Sequence, residues 1–399
     1  FSGKPKWNKL LDAKPAHLTS EEQAFLDGPV EKLCAMLDDW KITHEQYDLP
    51  DKVWKFIREN GFFGLVIPKE DGGLGFSNTA HSEIVMKIST RSVSAAVTVM
   101  VPNSLGPGEL LMHYGTDEQK QHYLPRLAGG DEIPCFALTS PVAGSDAGAI
   151  PDKGIVCKGQ WNGKEVLGLK VTWNKRYITL APVATLIGLA IKVYDPDKLL
   201  GESDEIGVTC VLVPRDTEGV NAGARHLPMN TVFMNGPTWG NDVFIPMEQV
   251  IGGQDMLGKG WTMLLECLSI GRSISLPALG TGAGKVASLA TGSYSYTREQ
   301  FGRTISQFEG VQEALEPIAN GKTGGSVSTE FRITVHGESY DIHVTGANPV
   351  SATERRYYMP VDGLPEEIQV ESQGEAAENT RKGGRARATG EGPVTNTMQ

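Results

Sequence analysis

The densest chemistry in this sequence lies in residues 136–146, FALTSPVAGSD. A strand-like apolar start runs into a loop carrying the hydroxyls of Thr139, Ser140 and Ser145, and Gly144 has no Cβ to keep a ligand at a distance. Hydroxyls and backbone donors at this density suit the ring carbonyls and phosphate of a large polar cofactor; an ordinary turn is the competing interpretation. Other chemistries are excluded by spacing. Gly280, Gly282 and Gly284 do not make GxGxxG, and Gly321-Lys322-Thr323 lacks the first glycine of a phosphate loop, because Glu316 stands there. No GxSxG elbow occurs. The eight histidines are scattered without HExxH, and Cys34, Cys135, Cys157, Cys210 and Cys267 form neither CxxC nor CxxH, so no metal site and no disulfide framework is expected.

Something must position that loop, and the hydrophobic pattern says what. Phe25, Leu26, Val30, Leu33 and Leu37 recur at helical spacing behind Thr19 or Ser20 as N-cap, which predicts an amphipathic helix over 20–36. Further helices are expected at 49–60, 81–88, 106–113 and 117–127, divided by Gly-Gly pairs at 72–73 and 129–130. After Gly130 short β-branched runs take over at 154–158, 164–173, 185–193, 208–213 and 242–245. Helical spacing returns at 256–318, with a second run around 286–301. A Gly/Ser/Thr linker opens at Gly321, followed by two copies of a 26-residue repeat, FRITVHGESYDIHV and YYMPVDGLPEEIQV, each patterned as a hairpin about His336-Gly337 or Asp362-Gly363. Residues 371–392 have no periodicity and are expected to be disordered.

At about 100–200 residues per domain, 399 residues hold two to four domains. With 37 Lys+Arg against 48 Asp+Glu the formal charge is −11, which argues against a nucleic-acid partner. The longest uncharged apolar stretch, 177–191, contains Pro182 and falls short of the roughly 20 residues that span a bilayer. A reducing cytoplasm fits the cysteine usage. The chain opens on Phe1 with no signal pattern, and is expected to begin inside a longer product.

Three segments, ALTSPVAGSDAGAIPD, WNKRYITLAP (173–182) and ECLSIGRSISLP (266–277), resemble the bacterial long-chain acyl-CoA dehydrogenases and occur in that family's order. EEQAFLDGPVEKLC, ITHEQYDLP, VPNSLGPGELLMHYGTDEQKQHYLPRLAGG and REQFG extend the likeness over about 1–320. The resemblance implies an α+β multidomain chain: a helical N-terminal domain (1–130), a β-barrel-like middle domain (131–250) and a helical C-terminal domain (251–320) cut short. After the linker (321–330) come two β-hairpins (331–371) and a disordered tail (372–399). It implies FAD, with Leu138, Thr139 and Ser140 at the flavin pyrimidine end and Gly144 in the same loop. Ser145 is expected near flavin and thioester, and Tyr177, Ile178 and Thr179 as a wall of the isoalloxazine. Arg298, Gln300 and Phe301 match a segment that reaches the FAD diphosphate of a neighbouring subunit, and Arg272 a helix arginine near the CoA cleft. The implied reaction is α,β-desaturation of long-chain acyl-CoA in fatty acid β-oxidation, with an electron-transfer flavoprotein as acceptor and a homodimer as the intact assembly. The full-length parent is expected in the cytoplasm or at the inner membrane.

Departures from the family pattern bear on activity. Val142 replaces a loop Glu, and Trp239 in GPTWGND stands where this branch carries Arg. Where some relatives place the catalytic Glu directly before the helix arginine, this chain has Gly271, so the base is expected in a downstream loop. The likeness stops near Asn320, ahead of that loop; Glu266 is expected at the helix surface or the core edge rather than in catalysis. No catalytic residue is therefore assigned, and impaired dehydrogenation is expected. FRITVHGESYDIHV and PVTNTMQ resemble the stretch before the biotinyl domain in alpha subunits of biotin-dependent decarboxylases and carboxylases, without the biotinyl lysine motif. A non-catalytic acyl-CoA-binding or carboxylase-docking fragment is thus the alternative.

Overall fold

The computed structural model describes residues 16–320 together with strands at 328–335, 338–345, 355–361 and 364–372. The repeat turns at 336–337 and 362–363, most of the predicted linker and the predicted disordered tail lie outside the described residues. Two compact units are present, Pro15–Tyr294 in one and Ser295–Gln399 with Phe1–Lys14 in the other.

The larger unit opens with α1 (Ser20–Phe25), a π-helical segment (Leu26–Val30) and α2 (Glu31–Met36). The predicted single helix is thus widened where Pro29 removes a backbone donor. Thr19 caps α1 in a capping box: Glu22 N–H donates to Thr19 Oγ1 at 3.2 Å and Thr19 N–H to Glu22 Oε2 at 2.7 Å. Glu22 Oε1 also accepts from the Ser77 N–H at 2.7 Å, tying the first helix to the start of a later one.

Helices α3 (Asp51–Glu59), α4 (Asn78–Ser89), α5 (Val93–Ser104), α6 (Pro107–Tyr114) and α7 (Asp117–Gly129) follow. The sequence pattern predicts four of these and misses α5. Every residue of α5 after Val93 is buried, so it shows no polar face and no amphipathic period. Asn103 holds it in place, its Nδ2 donating to Phe62 O at 2.7 Å and to Val99 O at 2.8 Å.

The middle of the chain forms one curled seven-stranded sheet in the order β1-β4-β2-β3-β7-β6, with β5 on β4. Its members are β1 (Pro134–Ala137), β2 (Lys153–Trp161), β3 (Lys164–Thr179), β4 (Leu186–Tyr194), β5 (Glu205–Pro214), β6 (Asn221–Ala222) and β7 (Asn235–Pro246). β3 continues six residues beyond the predicted end at Trp173, and those residues reach the site. Gln119 of α7 fastens helices to sheet, donating to Glu248 O at 2.9 Å and Val250 O at 2.7 Å. α8 (Gly260–Thr297) then runs 38 residues, through Pro277 and several glycines, where the sequence pattern predicts two separate runs.

In the smaller unit β8 (Glu299–Gln300) and β9 (Arg303–Thr304) pair as a short hairpin before α9 (Glu309–Asn320). The repeats form β10 (Ser328–Val335) paired with β11 (Glu338–Thr345), and β12 (Arg355–Val361) paired with β13 (Leu364–Ser372), in one antiparallel sheet ordered β11-β10-β13-β12.

Candidate functional site: a cavity between loop, strand and helix

β1 ends at Ala137 and the chain turns sharply: Ser140 N–H donates to Ala143 O at 3.1 Å and Ala143 N–H returns to Ser140 O at 3.2 Å. Pro141 and Val142 are left at the exposed tip. The stem of this loop is bound to β3. Arg176 N–H donates to Thr139 O at 3.0 Å, and Lys175 Nζ donates to Leu138 O at 2.9 Å.

Lys175 is wholly buried, as is its counter-ion Asp152, whose Oδ2 it meets at 2.6 Å. Lys175 Nζ also lies 3.2 Å from Ser140 Oγ, Ser140 donates to Asp152 Oδ2, and Asn174 N–H donates to Asp152 Oδ1 at 2.7 Å. Burial pushes the Lys175 ammonium below its ordinary pKa, and the Asp152 charge opposes that.

Past Lys175 the ladder with β7 slips. Lys175 pairs with Thr238 but Ile178 with Gly236, so two residues of β3, Arg176 and Tyr177, oppose Pro237 alone. Pro237 has no N–H to contribute to a ladder, which makes it suited to a bulge. The bulge puts Tyr177 in the left-handed region (φ 58°) and turns its ring outward, while Lys175 and Ile178 stay inside. Asn235 secures this stretch: its Nδ2 donates to Tyr177 O at 2.9 Å and approaches Thr179 Oγ1 at 3.3 Å. The His226 ring packs 4.7 Å from that of Tyr177.

A cavity of about 210 Å³ opens between these elements. Phe136, Leu138 and Thr139 form one side and Tyr177, Ile178 and Thr179 another. Leu268, Arg272 and Leu276, four residues apart on α8, form a third, and Val101 and Leu105 lie at and beyond the C-terminal end of α5. α8 and α5 are locked behind it, with Ser275 donating to Ser104 Oγ at 2.7 Å.

The structure therefore brings Leu138, Thr139, Tyr177, Ile178, Thr179 and Arg272 to one place. Ser140 stands outside this lining. Its hydroxyl and amide are both spent inside the loop and its network, and it does not line the cavity. Gly144 and Ser145 lie exposed on the loop beyond the tight turn and do not line it either. Arg298, Gln300 and Phe301 belong to the smaller unit, where Phe301 is 92% exposed at φ 55°. Sequence reasoning missed Asp152, Lys175 and Asn235. Lys175 alone left a signal, a charged residue two places after buried Trp173 on the inward phase of a strand.

Among the described residues, no carboxylate lines the cavity. Glu266 is two residues from Leu268, about 200° around the helix at 100° per residue, and accepts from the Tyr114 hydroxyl. That bond pushes the Tyr114 phenol up to about 12. At Gly271 a Cβ would stand 2.1 Å from Ser104 O, so α8 approaches α5 too closely to carry a longer side chain there.

An aromatic wall, two threonines, backbone amides and a guanidinium at the rim suit a flat heteroaromatic ring with a polar edge, so the residues present fit a flavin. Comparison with known proteins agrees. Residues 19–131 match the family model described as acyl-CoA dehydrogenase, N-terminal domain. Protein HemX of Proteus mirabilis is 54% identical over 103 residues, 26% of this chain and 61% of that protein. The probable acyl-CoA dehydrogenase FadE10 of Mycobacterium tuberculosis is 32% identical over 302 residues, 75% of this chain but 44% of that one. The chain thus spans less than two thirds of either relative. A crystal structure of an acyl-CoA dehydrogenase complexed with FAD from Bacillus anthracis superposes with a TM-score of 0.66 at 25% identity, covering 77% of this chain and 50% of the other.

Proposed function

The chain belongs to the acyl-CoA dehydrogenase family, and we propose from that premise that its cavity holds the flavin of FAD beside a long-chain acyl-CoA thioester. The observation that carries this reading is the convergence of Leu138, Thr139, Tyr177, Ile178, Thr179 and Arg272 on one cavity. FAD, when bound, supplies the hydride acceptor for the substrate β-carbon, with an electron-transfer flavoprotein as the proposed oxidant. The protein's own part is positioning. Leu138 and Thr139 present the polar edge of the slot, Tyr177 to Thr179 its wall, and Arg272 a fork suited to phosphate oxygens at the rim. Leu105, Leu268 and Leu276 give the apolar surface along which an acyl chain would lie.

Removal of the α-proton needs a base within hydrogen-bond reach, and among the described residues no carboxylate lines the cavity. We therefore propose that this 399-residue chain binds cofactor and thioester but desaturates poorly, with β-oxidation as the context of the family reaction. That absence of a base also supports a second reading, a binding protein for acyl-CoA. Titration of the apoprotein with FAD, followed by flavin fluorescence, tests the proposal: saturable one-to-one binding is expected. An Arg272→Ala variant should keep FAD affinity and weaken acyl-CoA binding about 10-fold, the size of one lost charged hydrogen bond. Absence of FAD binding would overturn the reading.

A further inference from the structure

The buried Lys175–Asp152 pair is unexplained by packing alone, because two charges taken out of water need a return that an apolar pair would supply more cheaply. Its contacts suggest that return. Lys175 makes three hydrogen bonds, to Asp152, to Ser140 and to the carbonyl of Leu138. The last leaves the pair and reaches the stem of the loop that borders the cavity. In a trans peptide, the Thr139 N–H points opposite to the Leu138 carbonyl, away from Lys175. An ammonium on that carbonyl fixes the tilt of the peptide plane and polarises it, so the Thr139 N–H becomes a stronger donor. Arg176 N–H on the Thr139 carbonyl clamps the next peptide. The bulge directly after Lys175 delivers Tyr177 to the opposite wall, so one short piece of β3 sets both sides of the slot.

We propose that Lys175, anchored by Asp152 and Ser140, is a positioning residue for the flavin: it holds and polarises the peptide joining Leu138 to Thr139, strengthening FAD binding and favouring the reduced cofactor. The inference rests on the flavin reading of the cavity. Ser140 acts inside the network and not as a cofactor contact.

The test uses the full chain. Removing Lys175 alone would strand the Asp152 charge and unfold the site, so the informative variant is the double substitution Lys175→Met with Asp152→Asn, compared with wild type for thermal midpoint, FAD dissociation constant and flavin midpoint potential. The expected result is a folded protein with FAD affinity weakened about tenfold and a more negative potential. Ser140→Ala, which removes one anchor of the ammonium and leaves the ion pair intact, is expected to weaken FAD binding roughly threefold and serves if the double variant does not fold. Unchanged affinity and potential in whichever variant folds would overturn the proposal, since a merely structural ion pair would move the thermal midpoint only. A wild-type chain that binds no FAD removes the flavin reading as well; a wild type that binds FAD beside an equally competent variant removes this inference alone.

Discussion

At the scale of single residues, the site depends on side chains that touch no ligand. Asn235 holds the wall by its two hydrogen bonds to Tyr177 O and Thr179 Oγ1, so Asn235→Ala should destabilise the fold by about 1–3 kcal/mol. It should also weaken FAD binding, which parallel urea unfolding and FAD titration would measure. Glu22 carries a pH dependence. Burial alone would raise its pKa, but hydrogen bonds from Ser77 and Thr19 outweigh it and hold the carboxyl at about 2, below the usual 4.5. A depressed folded-state pKa gives stability that is present above the unfolded value and is lost as pH falls through the folded one. Stability should therefore decline between about pH 4.5 and 2, and Glu22→Gln should remove that part of the slope while destabilising by about 1–2 kcal/mol at neutral pH. Acid titrations of both proteins followed by circular dichroism decide it. The loop itself was legible in the sequence because its turn residues are local, and the cofactor class was legible through the family resemblance. Asp152 and Asn235 were not, because each meets a partner 12 to 58 residues away that only the sheet brings near.

Elements were legible where one face met water. α1 announced itself through its N-cap and helical spacing and α7 through its bounding turn signals; the capping boxes of Thr19 with Glu22 and Thr116 with Gln119 came with the structure. α5 was illegible because burial on all sides erases the period on which detection relies. The extension of β3 past Trp173 was hidden by charged Lys175 and Arg176, whose different fates, one buried and one exposed, follow the alternation of the strand. The packing of α8 on α5 makes a prediction at this scale. Gly271→Ala puts a methyl 2.1 Å from Ser104 O, so the two helices must part, costing about 1–3 kcal/mol in chemical unfolding. Gly271→Glu, which would supply a carboxylate before Arg272, should for the same reason fail to create dehydrogenase activity in a stopped-flow assay.

For the whole molecule, the α, β, α order of the larger unit was readable from alternating hydrophobic periods, and the repeat foretold four of the six described strands of the smaller one. No described helix is long and apolar enough to cross a membrane. What the sequence could not give is how the cavity is closed: its walls come from residues 101–105, 136–139, 177–179 and 268–276, four segments joined only by the fold. A cavity proposed to hold the flavin, with no carboxylate among its described lining residues, would separate binding from chemistry. The most direct measurement is the visible spectrum of the FAD-loaded chain during anaerobic addition of a long-chain acyl-CoA. A flavin band that shifts on addition and stays oxidised is the predicted result; rapid bleaching, or a chain that retains no flavin at all, would contradict it.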